Sequence, residues 1–131
     1  MKLVFDTNVY ISAFVIPNSK AEKAFLKVVE GRDTLLISKY IINEILSVLS
    51  AKFSRDREAL SHLAVHLSEI AHMVKPVGPR LSLLKDEPDN RILECALSGN
   101  ADAIVTGDKE MLALREFKGI RIISLREYLE S

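Results

Sequence analysis

The segment Asp86–Leu112 reads DEPDNRILECALSGNADAIVTGDKEML, and its pattern changes twice. Asp89 to Leu97 spaces its apolar residues as a helix does, Ala103 to Thr106 is a short apolar run of the kind buried in parallel sheets, and a second helical pattern runs from Asp108 to Phe117. Gly99 falls where the first of these helices should stop, and Pro88 lies in the connection ahead of it. Helix, buried strand, helix is the repeating unit of a parallel sheet covered by helices.

Outward from this segment the same alternation fills the chain. Leu3 to Phe5, Thr34 to Ile37 and Arg121 to Ile123 have strand length and composition, with a weaker candidate over Met73 to Val77. Helical patterns cover Val9 to Val15, Ala21 to Glu30, Lys39 to Phe53, Asp56 to His72 and Leu125 to Glu130. Ser38 stands ahead of one helix, Ser124 with Glu127 spells a capping box ahead of the last, and Gly31 and Gly119 mark further helix ends. These elements predict a doubly wound α/β domain around a mostly parallel sheet, with its ligand crevice outside the carboxyl ends of the strands.

The 131 residues suit one domain over residues 1–131, long enough to bury roughly two thirds of the surface of its unfolded chain. Hydrophobic residues at 48% and charged residues at 27% match soluble globular proteins and exclude disorder. Cys95 stands alone, so it forms no internal disulfide; it reads as a small buried hydrophobe in a reducing cytoplasm. Asp6 interrupts any secretory core, and no apolar run approaches spanning length, so the mature chain is expected to start at Met1 and to need no membrane. Net charge is zero, which means that binding to nucleic acid requires charge segregated locally.

Asp6 ends the first strand, and Asp108 lies one glycine beyond the strand ending at Thr106. Asp89 follows Pro88 at a helix start, with Asp86 and Glu87 close by. Each alone reads as a cap or first-turn acid that complements a helix dipole. Glu44 does not: it lies beside the stripe formed by Ile41, Ile42, Ile45, Leu46, Val48, Leu49 and Phe53, and its helical neighbours Tyr40, Ile41, Ser47 and Val48 include no cation. Jointly, the four acids are placed to converge on one crevice. Crowded carboxylates raise one another's pKa unless a hard cation is held, and Mg²⁺ or Mn²⁺ suits oxygen ligands. Zinc is disfavoured: His62 and His66 have the i, i+4 spacing but lack the glutamate of H-E-x-x-H, and with His72 they read as residues of the fourth helix.

LVFDTNVYISAF at the start, SKYIINEIL in the middle and the opening segment above resemble, in this order and over nearly the whole chain, the PIN domain, a metal-dependent nuclease fold found in the toxin halves of toxin–antitoxin modules. The resemblance implies a three-layer α/β/α fold with a five-stranded, mostly parallel sheet of order 3-2-1-4-5. It implies Asp6, Glu44, Asp89 and Asp108 as the acids that bind Mg²⁺ or Mn²⁺, with Asn8, Asn90 and Thr106 in support. Within KDEPDN, Asp89 is preferred over Asp86 and Glu87 because it abuts the helix. The implied reaction is hydrolysis of single-stranded RNA, with an antitoxin and a second copy of the chain as partners. Arg91 and Lys109 stand beside the acids as phosphate contacts, and Lys52, Arg55 and Arg57 cluster after the third helix.

A receiver-like phosphoacceptor module fits less well, since the strand TLLIS ends in serine and the mid-chain acid, Glu44, lies inside a helix. Dehalogenase-like phosphatases need D-x-D where Asn8 takes the second position. A non-catalytic PIN-like RNA- or protein-binding module is the remaining alternative, and the full acid set favours an enzyme.

Overall fold

The computed structural model describes residues 1–53 and 56–131. The chain runs β1 (Lys2–Phe5), α1 (Thr7–Val15), α2 (Lys20–Glu30), β2 (Thr34–Ser38), α3 (Lys39–Phe53), α4 (Arg57–Ile70), β3 (His72–Val74), α5 (Glu87–Ser98), β4 (Ala103–Val105), α6 (Lys109–Leu114), β5 (Glu116–Phe117), β6 (Ile120–Ile123) and α7 (Leu125–Glu130). One sheet has the order β3-β2-β1-β4-β6-β5, parallel throughout except for the antiparallel pair of β5 and β6.

The apolar runs explain the layering. Leu3, Val4 and Phe5 of β1 and Ala103, Ile104 and Val105 of β4 are each 0% exposed. Successive strand residues point to opposite faces, so a strand buried at every position has both faces covered, which makes three layers. Helix α5 packs on β1 and β2, α2 on β2, α4 on β3 and α6 on β6. An aromatic cluster of Phe5, Tyr10, Phe14, Phe25 and Tyr128 joins β1 to α1, α2 and α7. The Tyr128 hydroxyl donates to Asp33 at 2.6 Å, and Lys27 Nζ donates to the Tyr128 carbonyl.

Four expectations need correction. The sheet has six strands rather than five, because the helix expected to reach Phe117 stops at Leu114 and Glu116–Phe117 pairs with β6. The connecting residues Lys118 and Gly119 have φ of 50° and 86°, the paired positive values of a two-residue hairpin turn; Gly119 therefore serves a hairpin and not a helix end. His72 belongs to β3, since α4 ends at Ile70 and the backbone is extended from Ala71. Pro88 lies within the first turn of α5, where its missing N–H costs no hydrogen bond. Ser38 Oγ accepts the Ile41 amide, and the Ser124–Glu127 capping box forms in both directions. Lys52 and Arg57 are exposed, and Arg55 lies outside the described residues.

From β1 the chain builds outward to β2 and β3, then returns to the other side of β1 with β4. The point where strand order reverses is thus the gap between β1 and β4, where open parallel sheets bind ligands. This order also differs from the 2-1-3-4-5 arrangement of receiver domains. Among the described residues no helix is long and apolar enough to cross a membrane.

Candidate active site at the ends of β1 and β4

Asp6 follows β1 directly and caps α1, with Oδ1 accepting the Asn8 amide at 3.3 Å. Its Oδ2 accepts the Thr106 hydroxyl at 2.6 Å. The Thr106 oxygen in turn accepts the Asp108 amide at 3.0 Å, and Asp108 Oδ2 caps α6 through the Met111 amide at 2.8 Å. Thr106 is fully buried and Asp6 nearly so. Asp108 is therefore a helix cap and a neighbour of Asp6 at once, with its Oδ1 unpartnered among the described residues.

Asp89 lies in the first turn of α5, only 6% exposed, and its carboxylate accepts no hydrogen bond among the described residues. Burial is the main cause that pushes its pKa up to about 7, and the charges of Asp6, Asp86, Asp108 and Glu110 push the same way. Burial also raises Asp6; the bonds from Thr106 and Asn8 oppose it, and the charges of Asp108 and Asp86 add to the rise. Asp6, Asp89 and Asp108 thus share one electrostatic environment, joined by two acids outside the expected set, Asp86 and Glu110.

KDEPDN sorts itself by what each acid touches. Helix α5 starts at Glu87 with Asp86 as its cap residue, so Asp89 is not alone in abutting the helix. The Asp86 side chain makes no capping bond and its charge acts on the site. Glu87 turns instead to Arg91, at 3.1 Å, and to Arg80. The i, i+4 spacing of Glu87 and Arg91 was the sequence signal for that pair.

Asn90 and Arg91 serve the loop that leads into α5. Asn90 brackets Leu84, accepting its amide and donating to its carbonyl, both at 2.8 Å. Arg91 is 3% exposed; its guanidinium donates to the Leu81 carbonyl and pairs with Glu94, which also accepts the Leu81 amide at 2.7 Å. Arg91 thereby holds Leu81, at the start of the loop that leads into α5. Glu110 Oε1 accepts the Lys85 amide and ties the same loop to α6. Lys109 is exposed beside Asp108.

Glu44 is partly buried on α3, has no hydrogen bond or ion pair among the described residues, and is not among the main charges acting on Asp6 or Asp89. Cys95 is buried, which pushes its thiol up to about 12 and leaves it a packing residue. The oxygen donors suit a hard divalent cation in kind. As the side chains stand, however, no three Asp, Glu, His or Cys residues among those described are grouped to hold one ion.

Residues 2–110 match the PIN domain as a sequence family. The chain belongs to the PIN-domain family. A relative of this PIN domain, the uncharacterized protein MJ1680 of Methanocaldococcus jannaschii, is 29% identical over 120 residues, covering 88% of this chain and 76% of the relative. Two solved structures share the fold at a TM-score of 0.66. VapBC2 of Rickettsia felis, bound to a DNA fragment from its promoter, is 15% identical and matches 95% of this chain and 98% of its own. VapBC-1 of nontypeable Haemophilus influenzae is 19% identical and matches 96% and 99%.

Proposed function

We propose that this PIN domain is a metal-dependent endoribonuclease that cuts single-stranded RNA in the crevice where β1 and β4 end. The observation that supports this best is the pair Asp6 and Asp108, bridged by Thr106 and within electrostatic reach of Asp89, a buried carboxylate with no partner. Burying like charges together is costly, and a bound cation removes the cost.

Asp6, Glu44, Asp89 and Asp108 are the residues that would hold Mg²⁺ or Mn²⁺. A divalent ion bound by them supplies Lewis acidity, easing loss of a proton from water and offsetting negative charge on a phosphate. The protein's own groups do the positioning. Thr106 and the Asn8 amide fix the Asp6 carboxylate, and the α6 cap fixes Asp108. Asn90 holds the backbone entering α5, and hence the turn that carries Asp89. Lys109 offers an exposed cation to a substrate phosphate.

The likeness to VapBC assemblies supports reading this chain as the toxin half of a cytoplasmic toxin–antitoxin module. A cavity of about 500 Å³ between α1, α2, α3 and α4, lined by Phe14, Leu49, Leu60 and Leu63 with His62 and His66, is where an antitoxin segment or a second copy of the chain would pack.

Purified protein should cut a labelled single-stranded RNA in Mg²⁺ or Mn²⁺, stop in excess EDTA, and resume when metal is restored. Glu44→Gln should slow the reaction without lowering the thermal midpoint. Cleavage undiminished in EDTA contradicts the metal reading; RNA bound but uncut in both metals favours the non-catalytic module.

A further inference from the structure

A second cavity, of about 330 Å³, opens beside the acids and is lined by Asn8, Val9, Ser12, Gly107, Asp108 and Leu125. Its walls come from α1, the turn between β4 and α6, and the start of α7. Two of its polar side chains face open space: among the described residues, neither the side-chain amide of the exposed Asn8 nor the hydroxyl of the partly buried Ser12 is bonded to the protein. Leu125, partly exposed, supplies apolar surface, while Val9 is only 3% exposed. Asp108 is the one charged side chain in the lining.

This lining selects a ligand class. In the metal-free protein the Asp108 carboxylate repels an anion, so the cavity does not then suit a free phosphate. A purely apolar group would leave Asn8 and Ser12 without partners once water is displaced, which is unfavourable. A neutral, flat group with donors and acceptors on its edge satisfies both walls, and side-chain amides and hydroxyls are the groups that read nucleobase edges.

Gly107 adds a second observation. Its φ lies outside the left-handed region, and a Cβ built on it meets nothing within 4 Å. Neither backbone conformation nor internal packing requires glycine there, and the space it leaves belongs to the cavity.

We infer that this cavity is a nucleobase subsite: it receives the base next to the scissile phosphate, hydrogen-bonded by Asn8 and Ser12 and packed on Leu125. The inference rests on the RNA-cleaving reading for its place in the reaction, since the cavity shares Asp108 with the acid crevice. Base binding itself does not depend on cleavage, which allows the two to be tested apart.

The first arm titrates ¹⁵N-labelled protein in EDTA with adenosine, guanosine, cytidine and uridine. At least one nucleoside should shift the amide signals of Asn8, Ser12, Gly107 and Leu125 together, and Gly107→Leu should abolish the response while leaving the rest of the spectrum in place. Asn8→Ala carries the same comparison if Gly107→Leu does not fold. The second arm uses RNA with one abasic nucleotide on either side of the mapped cut. Wild type should lose about tenfold in kcat/KM for the abasic residue on one side only, and Gly107→Leu should be equally slow with or without that base.

Nucleosides that leave these amides unmoved, or an abasic residue without effect on either side, overturn the subsite. If nucleosides shift the four amides and no RNA is cut in either metal, the subsite stands and the nuclease reading falls. If RNA is cut and neither side responds to base removal, the reverse holds.

Discussion

Thr106 donates its hydroxyl to Asp6 Oδ2 across 2.6 Å although the two residues are 100 positions apart in the chain. The same oxygen receives the Asp108 amide, so one buried hydroxyl fixes two acids at the point where strand order reverses.

Thr106→Val keeps the shape of the side chain and deletes that hydroxyl. It leaves the Asp108 amide and Asp6 short of a partner, at a cost of about 1–3 kcal/mol, seen as a fall of several degrees in thermal midpoint. Because the hydroxyl lowers the pKa of Asp6, its loss favours the protonated acid. Cleavage rates measured across pH should therefore fall about tenfold or more, with a larger deficit at pH 6 than at pH 8. An equal deficit at both pH values contradicts this role.

The acids make the metal-free protein sensitive to pH in an unusual direction. Asp89 has its pKa raised from 3.8 to about 7, so the native state binds a proton more tightly than the unfolded chain does. Its contribution to stability is complete below the unfolded value and is lost as pH rises through about 7. In EDTA the wild-type thermal midpoint should decline between pH 5 and 8. Asp89→Asn should flatten the decline and melt several degrees above wild type at pH 8, and added Mg²⁺ should stabilise wild type more than the variant. A variant that melts below wild type in EDTA at pH 8 makes Asp89 a structural acid.

Arg91 and Lys109 separate structure from substrate contact. Arg91→Ala removes the cation that faces the nearly buried Glu94 and the donor to the Leu81 carbonyl, leaving only the Leu81 amide on Glu94, and should cost roughly 3 kcal/mol in urea unfolding. Lys109→Ala removes an exposed cation; its stability should stay within about 0.5 kcal/mol of wild type while KM for RNA rises several-fold. Equal stability of the two variants contradicts the assignment.

Asn90→Ala deletes both bonds to Leu84. Amide exchange at Leu84 should accelerate strongly, with exchange in β1 and β4 changed only by the global loss of stability. Retained protection at Leu84 shows that the bracket is dispensable.

The sheet was legible because it is built from buried strands. Runs such as Leu3–Phe5 and Ala103–Val105 leave no ambiguity of face, and acids at their ends mark the crevice. The β5 hairpin was hidden because Met111, Leu114 and Phe117 continue a helical spacing, while the break lies in the backbone of Arg115, Lys118 and Gly119. His72 continues a helical pattern in the sequence for a similar reason: β3 is only His72–Val74, and its identity comes from pairing with Leu36–Ser38, far away in sequence. The places of Asp6, Asp89 and Asp108 at the starts of α1, α5 and α6 were legible from the strand and helix ends. The contact of Arg91 with Leu81 is not legible in the sequence, because it depends on a loop ten residues upstream folding back onto the helix. Glu44 was visible as an acid without a helical partner, and it has no hydrogen bond or ion pair among the described residues.

The most direct measurement is the rate at which Asp6→Asn cuts single-stranded RNA at saturating Mn²⁺, relative to wild type, with both proteins shown to be folded. Asparagine keeps the shape of the side chain and one acceptor oxygen, enough for either the Thr106 hydroxyl or the Asn8 amide, so the change deletes the charge and one of these two bonds. The acid crevice as a metal-dependent nuclease centre predicts a rate lower by about 100-fold or more, on the scale of losing a central electrostatic group. A rate within a factor of two of wild type contradicts it.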